Sequence, residues 1–501
     1  MTIDVSLDTV THWIAGTAVT PTDGPRANIL DPATGRVIRT VVLGGADAVE
    51  EAVADARTAA EAWAATPAPA RASVLHRFRA LLHEHTDELA SLITAEQGKT
   101  IADARGEIAR SIEAVDVSLS VVQQLKGEYA DQVANGVDTY SFRQPLGVCV
   151  GITPFNFPVM VAVSMFTAAI ACGNAFVLKP SERVPSASVR LAQLMSDAGL
   201  PGGVLNVVHG DSEAVEALLD HRDVAAVSFV GSTRVARIIY QRSAAAGKKV
   251  QALGGAKNHM VVMPGADLDA AADALVSAAY GAAGQRCMAV TVAVAVGEAG
   301  EALVTKTAER ANAFRVGPGN AASVDMGPLI SEDALDRVRG ALELSVEQGG
   351  QLVVDGRERP PPGAGYFIGP SLVDHVSVES DLYRDEVFGP VLSVLRARDL
   401  EHALQIVNDN PYGNGAAIFT SSGAAARRFS RGVLAGSVGV NIPIPVPTSW
   451  FGFGGWGDSR FGDDGLNYDA YRFYTRSKVV TQRWTEPTPG LAPHFVAAAR
   501  Q

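Results

Sequence analysis

The stretch Gly147–Thr153, GVCVGIT, is apolar without a break. A strand with one wet face alternates apolar and polar residues, so an unbroken run marks a strand covered on both faces. Further strands are read at Ala175–Lys179, Val204–Val208, Ala225–Val230 and Lys249–Leu253. Between these runs the patterning is helical, over Val159–Cys172, Pro185–Ala198, Ser212–Leu219 and Thr233–Ala246. Strands alternating with helices across short links predict a parallel, doubly wound α/β sheet.

A second α/β unit follows Ala256. Strands are expected at Asn258–Met263 and Met288–Val296 around a helix Ala266–Ala283, then at Gln351–Val354, Pro390–Leu395, Ala416–Phe419 and Ser437–Asn441. Arg359–Gly365, RPPPGAG, reads as a surface loop. Upstream, Asp47–Ala65, Ala70–Glu96 and Ile101–Lys126 carry apolar residues at helical spacing. Gln132–Phe142 reads as an exposed strand. The tail Tyr471–Val480 reads as one more strand, unpaired in its own chain and available to a neighbouring subunit.

Composition excludes several classes. With 501 residues and a formal charge of −12, the chain lacks the basic footprint that attracts nucleic acid or anionic lipid. Its 3 cysteines make no disulfide framework, which fits a reducing cytosol. The opening MTIDVSLDTVTHWIAG has no apolar run of leader length. The longest apolar stretch, Phe157 to Cys172, is interrupted by Pro158, Ser164 and Thr167. It falls short of the ~20 residues a bilayer span needs and is expected to be a buried helix.

Chemistry-bearing residues cluster at strand ends. No G-x-G-x-x-G opens the first sheet. Lys179-Pro180-Ser181-Glu182 ends the second buried strand, at the edge where open parallel sheets bind ligands. It is either a solvated strand end or a pair of partners for the hydroxyls of an adenosine ribose, with the acid disfavouring a 2′-phosphate. Phe229-Val230-Gly231-Ser232-Thr233 leads into a helix whose N-terminus suits a pyrophosphate, unless Ser232 or Thr233 is only an N-cap. Cys149 and Cys172 lie in apolar runs and are expected to be small buried hydrophobes. Cys287 follows Arg286, and an adjacent guanidinium favours the thiolate; a structural cysteine is the alternative. Asn156, between Phe155 and Phe157, is either a donor to an oxyanion or a helix cap.

Taken together, PFNFP, KPSE, FVGST, GQRC, DEVFGP and NPYGNGAAIFT resemble the aldehyde dehydrogenase superfamily in order and spacing, from Trp13 to Phe473. The resemblance implies an aldehyde dehydrogenase-like fold with a Rossmann-type NAD domain (1–131 and 146–256), a catalytic domain (257–465) and a small β oligomerisation element (132–145 and 466–501). It implies Cys287 as nucleophile, Asn156 as oxyanion donor, and NAD contacts at Thr153, Phe155, Lys179, Glu182, Arg183, Ser232 and Glu386. Relatives carry Glu-Leu-Gly-Gly-Lys, whose glutamate activates the water that hydrolyses the acyl-enzyme. Here the stretch is Gln251-Ala252-Leu253-Gly254-Gly255-Ala256-Lys257-Asn258-His259, and Ala252 is read at the base's position. A positioned base is worth roughly 100- to 10,000-fold, so water attack should be slow and a thiol, coenzyme A, should take the acyl group.

That departure, with GAKNH, SERVP, YGAAGQRCMA and VGVNIPIPVP, resembles the CoA-acylating methylmalonate-semialdehyde dehydrogenase branch. The branch implies malonate or methylmalonate semialdehyde as substrate, of the kind that valine and inositol breakdown supply. Arg286 and Arg110 are expected to hold the substrate carboxylate, an ordinary exposed helix arginine being the alternative for Arg110. A cytoplasmic homotetramer or homodimer is expected, with no nucleic-acid or membrane partner. Two rivals stand beside this reading. One is a CoA-independent, NAD-dependent aldehyde dehydrogenase using another base such as Glu386; the other is a binding protein that kept the fold and lost the chemistry. Ala236, where relatives more often have glycine, and the divergent loop Trp450–Asp464 are the other departures.

Overall fold

The computed structural model of the chain describes residues 8–20, 24–358 and 363–484. The buried runs assemble into one sheet, in the order Arg460–Gly462, Lys249–Leu253, Val224–Val230, Val148–Ile152, Ala175–Lys179, Leu205–Val207, His12–Ile14, Thr17–Val19. From Lys249–Leu253 to Leu205–Val207 the strands run parallel. The edges are closed by antiparallel strands from distant parts of the chain. Arg460–Gly462, inside the span 257–465, returns to cover what would otherwise be the open edge of Lys249–Leu253. Helices Met160–Ala171 and Ser186–Asp197 pack one face and Ala46–Ala65 and Ser212–Asp220 the other. The strand order reverses between Val148–Ile152 and Val224–Val230, so a crevice opens beyond Ile152 and Val230.

The second sheet runs Gln351–Val354, Ser371–Asp374, Val391–Ala397, Val290–Val296, Asn258–Val262, Gly415–Phe419, Ser437–Val440, parallel except for its first pair. Val290–Val296 is buried at every position, as a strand covered on both faces requires, Thr291 being its one polar residue. Cys149 and Cys172 are core residues, as expected. Among the described residues no helix is long and apolar enough to cross a membrane.

Several elements differ from the sequence reading. The tail strand, Thr475–Arg483, is not unpaired: it runs antiparallel to Val137–Pro145, and only its outer edge is open. The expected strand Gln132–Phe142 is a hairpin of Tyr129–Ala134 and Val137–Pro145, because Asn135-Gly136 turns the chain with Gly136 at φ +69. The pattern over Ala70–Glu96 is two helices, Ala68–Glu84 and Thr86–Gln97. His85 leaves helical geometry between them, and Asp87 and Glu88 favour a new N-terminus. Arg26–Asp31 and Arg36–Val42 form a further hairpin ahead of the first helix. The first part of the expected loop Arg359–Gly365, through Pro362, lies outside the described residues, as do residues 485–501 of the expected oligomerisation element.

Candidate active site

The reactive cysteine sits after an unusual turn. Helix Leu268–Tyr280 ends three residues earlier than the expected Ala283, since Ala282 (φ 50), Ala283 (φ 54) and Gly284 (φ 69) are left-handed. For each alanine that conformation costs roughly 1–2 kcal/mol, which the surrounding packing must offset. The turn is needed for close approach: a Cβ on Gly284 would run into the Gly389 carbonyl. Downstream, the Cys287 carbonyl accepts hydrogen bonds from Asn258 Nδ2 and Asn414 Nδ2, both at 2.9 Å. Asn258 Nδ2 also donates to the Ala289 carbonyl at 2.9 Å, so these amides fix the backbone that carries the sulfur.

Arg286 does not make the resting thiol acidic. Burial pushes Cys287 up to about 11, and the Glu386 carboxylate adds to the rise. The backbone N–H groups of Cys287 and Met288 pull the other way, and Arg286 acts least. Its guanidinium turns away toward Asp103, Nη2 to Oδ1 at 2.5 Å. Arg286 thus favours the thiolate as expected, but its pull is the smallest of these influences and burial outweighs it.

Asn156 is not a helix cap. Its amide donates to the Gln285 carbonyl at 2.9 Å, which uses one N–H and leaves the second. The N–H groups of Val159 and Met160, where a cap would act, go instead to Glu107 Oε1 at 2.8 and 3.0 Å. Glu107 Oε2 takes Lys99 Nζ at 2.8 Å, and Lys99 Nζ donates to the Asn156 carbonyl at 2.6 Å while lying over the Phe157 ring. A buried ion pair thus holds the Asn156 loop from behind. Sequence reasoning missed it, because charged residues in EQGKT and GEIAR read as surface.

Cys287 forms part of the wall of two cavities. One, of about 610 Å³, lies at the crevice of the first sheet and is lined by Thr153, Phe155, Lys179, Glu182, Arg183, Ser232 and Glu386 together with Asn156. All the expected cofactor-side residues therefore meet in one place. Lys179 Nζ lies 3.4 Å from Glu182 Oε2 at one end. Ser232 occupies the N-cap position of Thr233–Ala245 without making a capping hydrogen bond, so the helix's first N–H groups are left for a ligand. Thr153 Oγ1 is buried without a partner. Glu386 accepts the Ala256 N–H at 3.0 Å, and burial pushes its carboxyl up. Arg337, absent from the sequence reading, also lines this cleft. An acid beside a ribose-sized end, an open helix N-terminus and an orphaned hydroxyl fit an adenine dinucleotide.

The other cavity, of about 360 Å³, is lined by Phe157, Leu253, Arg110, Arg286, Asp103, Glu107 and Phe453 among others. Here the placement of Ala252 is corrected. Ala252 pairs in register between Phe229 and Phe461 and packs with Val148, Val150 and Ile152 in the core. Successive strand residues face opposite ways, so it is Leu253 that reaches the cavity. Arg110 Nη1 pairs with Glu113 Oε2 at 2.5 Å and Nη2 donates to the Pro447 carbonyl at 2.7 Å. Glu113 Oε1 accepts the Ser449 N–H at 2.8 Å, which ties the residue just ahead of the divergent loop to helix Ile101–Leu119. Ala236 is fully buried in the core beside the first sheet, where its methyl packs rather than lining the cleft.

The family model described as "Aldehyde dehydrogenase family" matches residues 19–480. A malonate-semialdehyde dehydrogenase of Pseudomonas aeruginosa is 48% identical over 98% of this chain and 99% of its own length. One from Geobacillus kaustophilus is 46% identical over 95% and 99%. Among solved structures, the methylmalonate-semialdehyde dehydrogenase of Oceanimonas doudoroffii has a TM-score of 0.95 at 48% identity, covering 96% of this chain and 99% of that one. A Sinorhizobium meliloti protein described as a proposed methylmalonate-semialdehyde dehydrogenase, solved with NAD, has the same TM-score and identity over 97% and 99%.

Proposed function

The chain belongs to the aldehyde dehydrogenase family, and from that premise we propose that it oxidises malonate or methylmalonate semialdehyde and passes the acyl group to coenzyme A, giving acetyl-CoA or propionyl-CoA. NAD, bound along Lys179, Glu182, Ser232 and Glu386, supplies the hydride acceptor. The Cys287 thiol, neutral at rest and partly exposed, loses its proton to solvent as its sulfur bonds to the aldehyde carbon. The carbonyl oxygen takes the negative charge, and the spare Asn156 N–H with the Cys287 backbone N–H holds it. Loss of hydride from that carbon leaves a thioester on Cys287.

The substrate carboxylate now lies β to a thioester carbonyl. Breaking its C–C bond releases CO₂ and sends the electron pair into the carbonyl, where the same donors stabilise the enolate. Protonation at carbon gives the acetyl or propionyl thioester. Attack by the CoA thiol then forms the new C–S bond and expels the Cys287 sulfur.

The observation that carries this reading is Leu253 in the cavity wall beside Cys287. Leucine cannot take a proton from water. The acids in that wall are committed, Asp103 to Arg286 and Glu107 to Lys99 and two backbone N–H groups. Names and full-length identity of the relatives support the substrate class. A second reading, hydrolysis to a free acid, has one observation in its favour: Glu386 acts electrostatically on the sulfur from the cofactor side. NADH production from each semialdehyde, with and without CoA, separates the two. Sustained turnover to a free acid without CoA would favour hydrolysis.

A further inference from the structure

Arg286 is held off the sulfur by two features. Its guanidinium lies over Gly281, where a Cβ would collide with Nη1, so glycine is what admits it. Its Nη2 then meets Asp103 Oδ1 at 2.5 Å. Asp103 stands in the first turn of Ile101–Leu119, and Thr100 Oγ1 both accepts its N–H and donates to its Oδ2, each at 3.1 Å. Both members of the pair are about a fifth exposed, at 21% and 22%, and both line the cavity that holds Cys287 and Arg110. Glu113, the partner of Arg110, balances its arginine from outside that lining. Asp103 is therefore the negative charge that an entering anion meets beside Arg286.

We propose that Asp103 tunes the site's preference for a substrate carboxylate through Arg286: it holds the guanidinium in the empty cavity and competes for it with an aldehyde that brings its own carboxylate. The inference rests on the semialdehyde reading above. A neutral aldehyde leaves the Asp103–Arg286 pair closed. A substrate carboxylate, gripped also by Arg110, competes for Arg286 and wins the exchange. Release of CO₂ removes the competitor, and Arg286 returns to Asp103 before the thioester is taken up by CoA. The same pairing accounts for the small influence of Arg286 on the Cys287 thiol.

The test compares malonate semialdehyde with propanal, which has the same chain length and no charge, in the wild type, Asp103→Asn and Asp103→Glu. Losing the competing charge should lower the KM for malonate semialdehyde about tenfold relative to propanal, since hydrogen bonds to charged groups are worth ~1.5–3 kcal/mol and tenfold is ~1.4. Asp103→Glu should restore the wild-type ratio. Iodoacetamide alkylation of Cys287 in Asp103→Asn should move to lower pH. An unchanged or raised KM ratio overturns the inference, because a merely structural residue would shift both aldehydes together. Asp103→Ser gives the same readout if the asparagine variant does not fold. A wild type that oxidised propanal and neither semialdehyde would overturn the underlying reading, and this inference with it.

Discussion

Lys99→Met isolates the support behind the Asn156 loop. Lys99 and Glu107 have side chains 1% and 0% exposed, and the ammonium also holds the Asn156 carbonyl and the Phe157 ring. Removing one member of such a buried pair leaves an uncompensated charge, at a cost of about 3–5 kcal/mol. Glu107 keeps its bonds from Val159 and Met160, so the lower end of that range applies, about 3 kcal/mol. The catalytic effect is separate. Without Lys99 the Asn156 carbonyl loses its anchor and the amide drifts, with a ceiling of the roughly 100- to 1,000-fold that one oxyanion donor contributes. Urea unfolding of the assembled protein, followed by tryptophan fluorescence, reads the first effect, and the NADH rate at saturating aldehyde reads the second. Adding Glu107→Gln removes the stranded charge, so the double variant should regain stability but not rate. A single variant within about 0.5 kcal/mol of wild type, or one with an unaltered rate, would refute the account of this network.

Two further predictions concern the sulfur and its surroundings. Leu253→Glu places a carboxylate in the cavity wall and should create CoA-independent release of free acid, measurable by acid titration or chromatography; a variant that stays folded and still needs CoA would count against Leu253 as the decisive position. With the thiol pushed up to about 11, alkylation of Cys287 in the free protein should keep accelerating above pH 9 rather than level off there. Because the folded form keeps its proton to higher pH than the unfolded one, the stability contributed by the buried neutral thiol is present below pH 9 and lost between 9 and 11. A plateau reached by pH 8 would contradict the assignment.

The first sheet is legible because strand-like and helical stretches alternate across short links and its first buried strand, VCVGI, is apolar throughout. That Cys287, Asn156, Lys179, Glu182 and Ser232 line one cleft could be anticipated from their positions at strand and helix ends, whereas Glu386 is reached only through the resemblance carried by DEVFGP. Other features leave no such mark. Ala282 and Ala283 are good helix formers, and nothing local in their sequence announces the left-handed turn that brings Gly284 against the Gly389 carbonyl. Lys99 and Glu107 are charged, so local pattern assigns them to solvent, and only tertiary packing reveals that they meet Asn156. Ala252 and Leu253 differ by one position, yet on a strand that is the difference between core and cavity. Asn135-Gly136 is a hairpin signal in its own right, hidden inside a run read as a single strand.

The central claim is that water has no base to release an acyl group from Cys287. Its most direct measurement is a single-mixing experiment with NAD and malonate semialdehyde but no CoA, recording NADH and the intact mass of the protein. The account predicts a burst of about one NADH per site, a near stop, and an acetyl adduct on Cys287 that persists until CoA is added. A linear rate with no burst and no adduct, and with acetate accumulating, would contradict it.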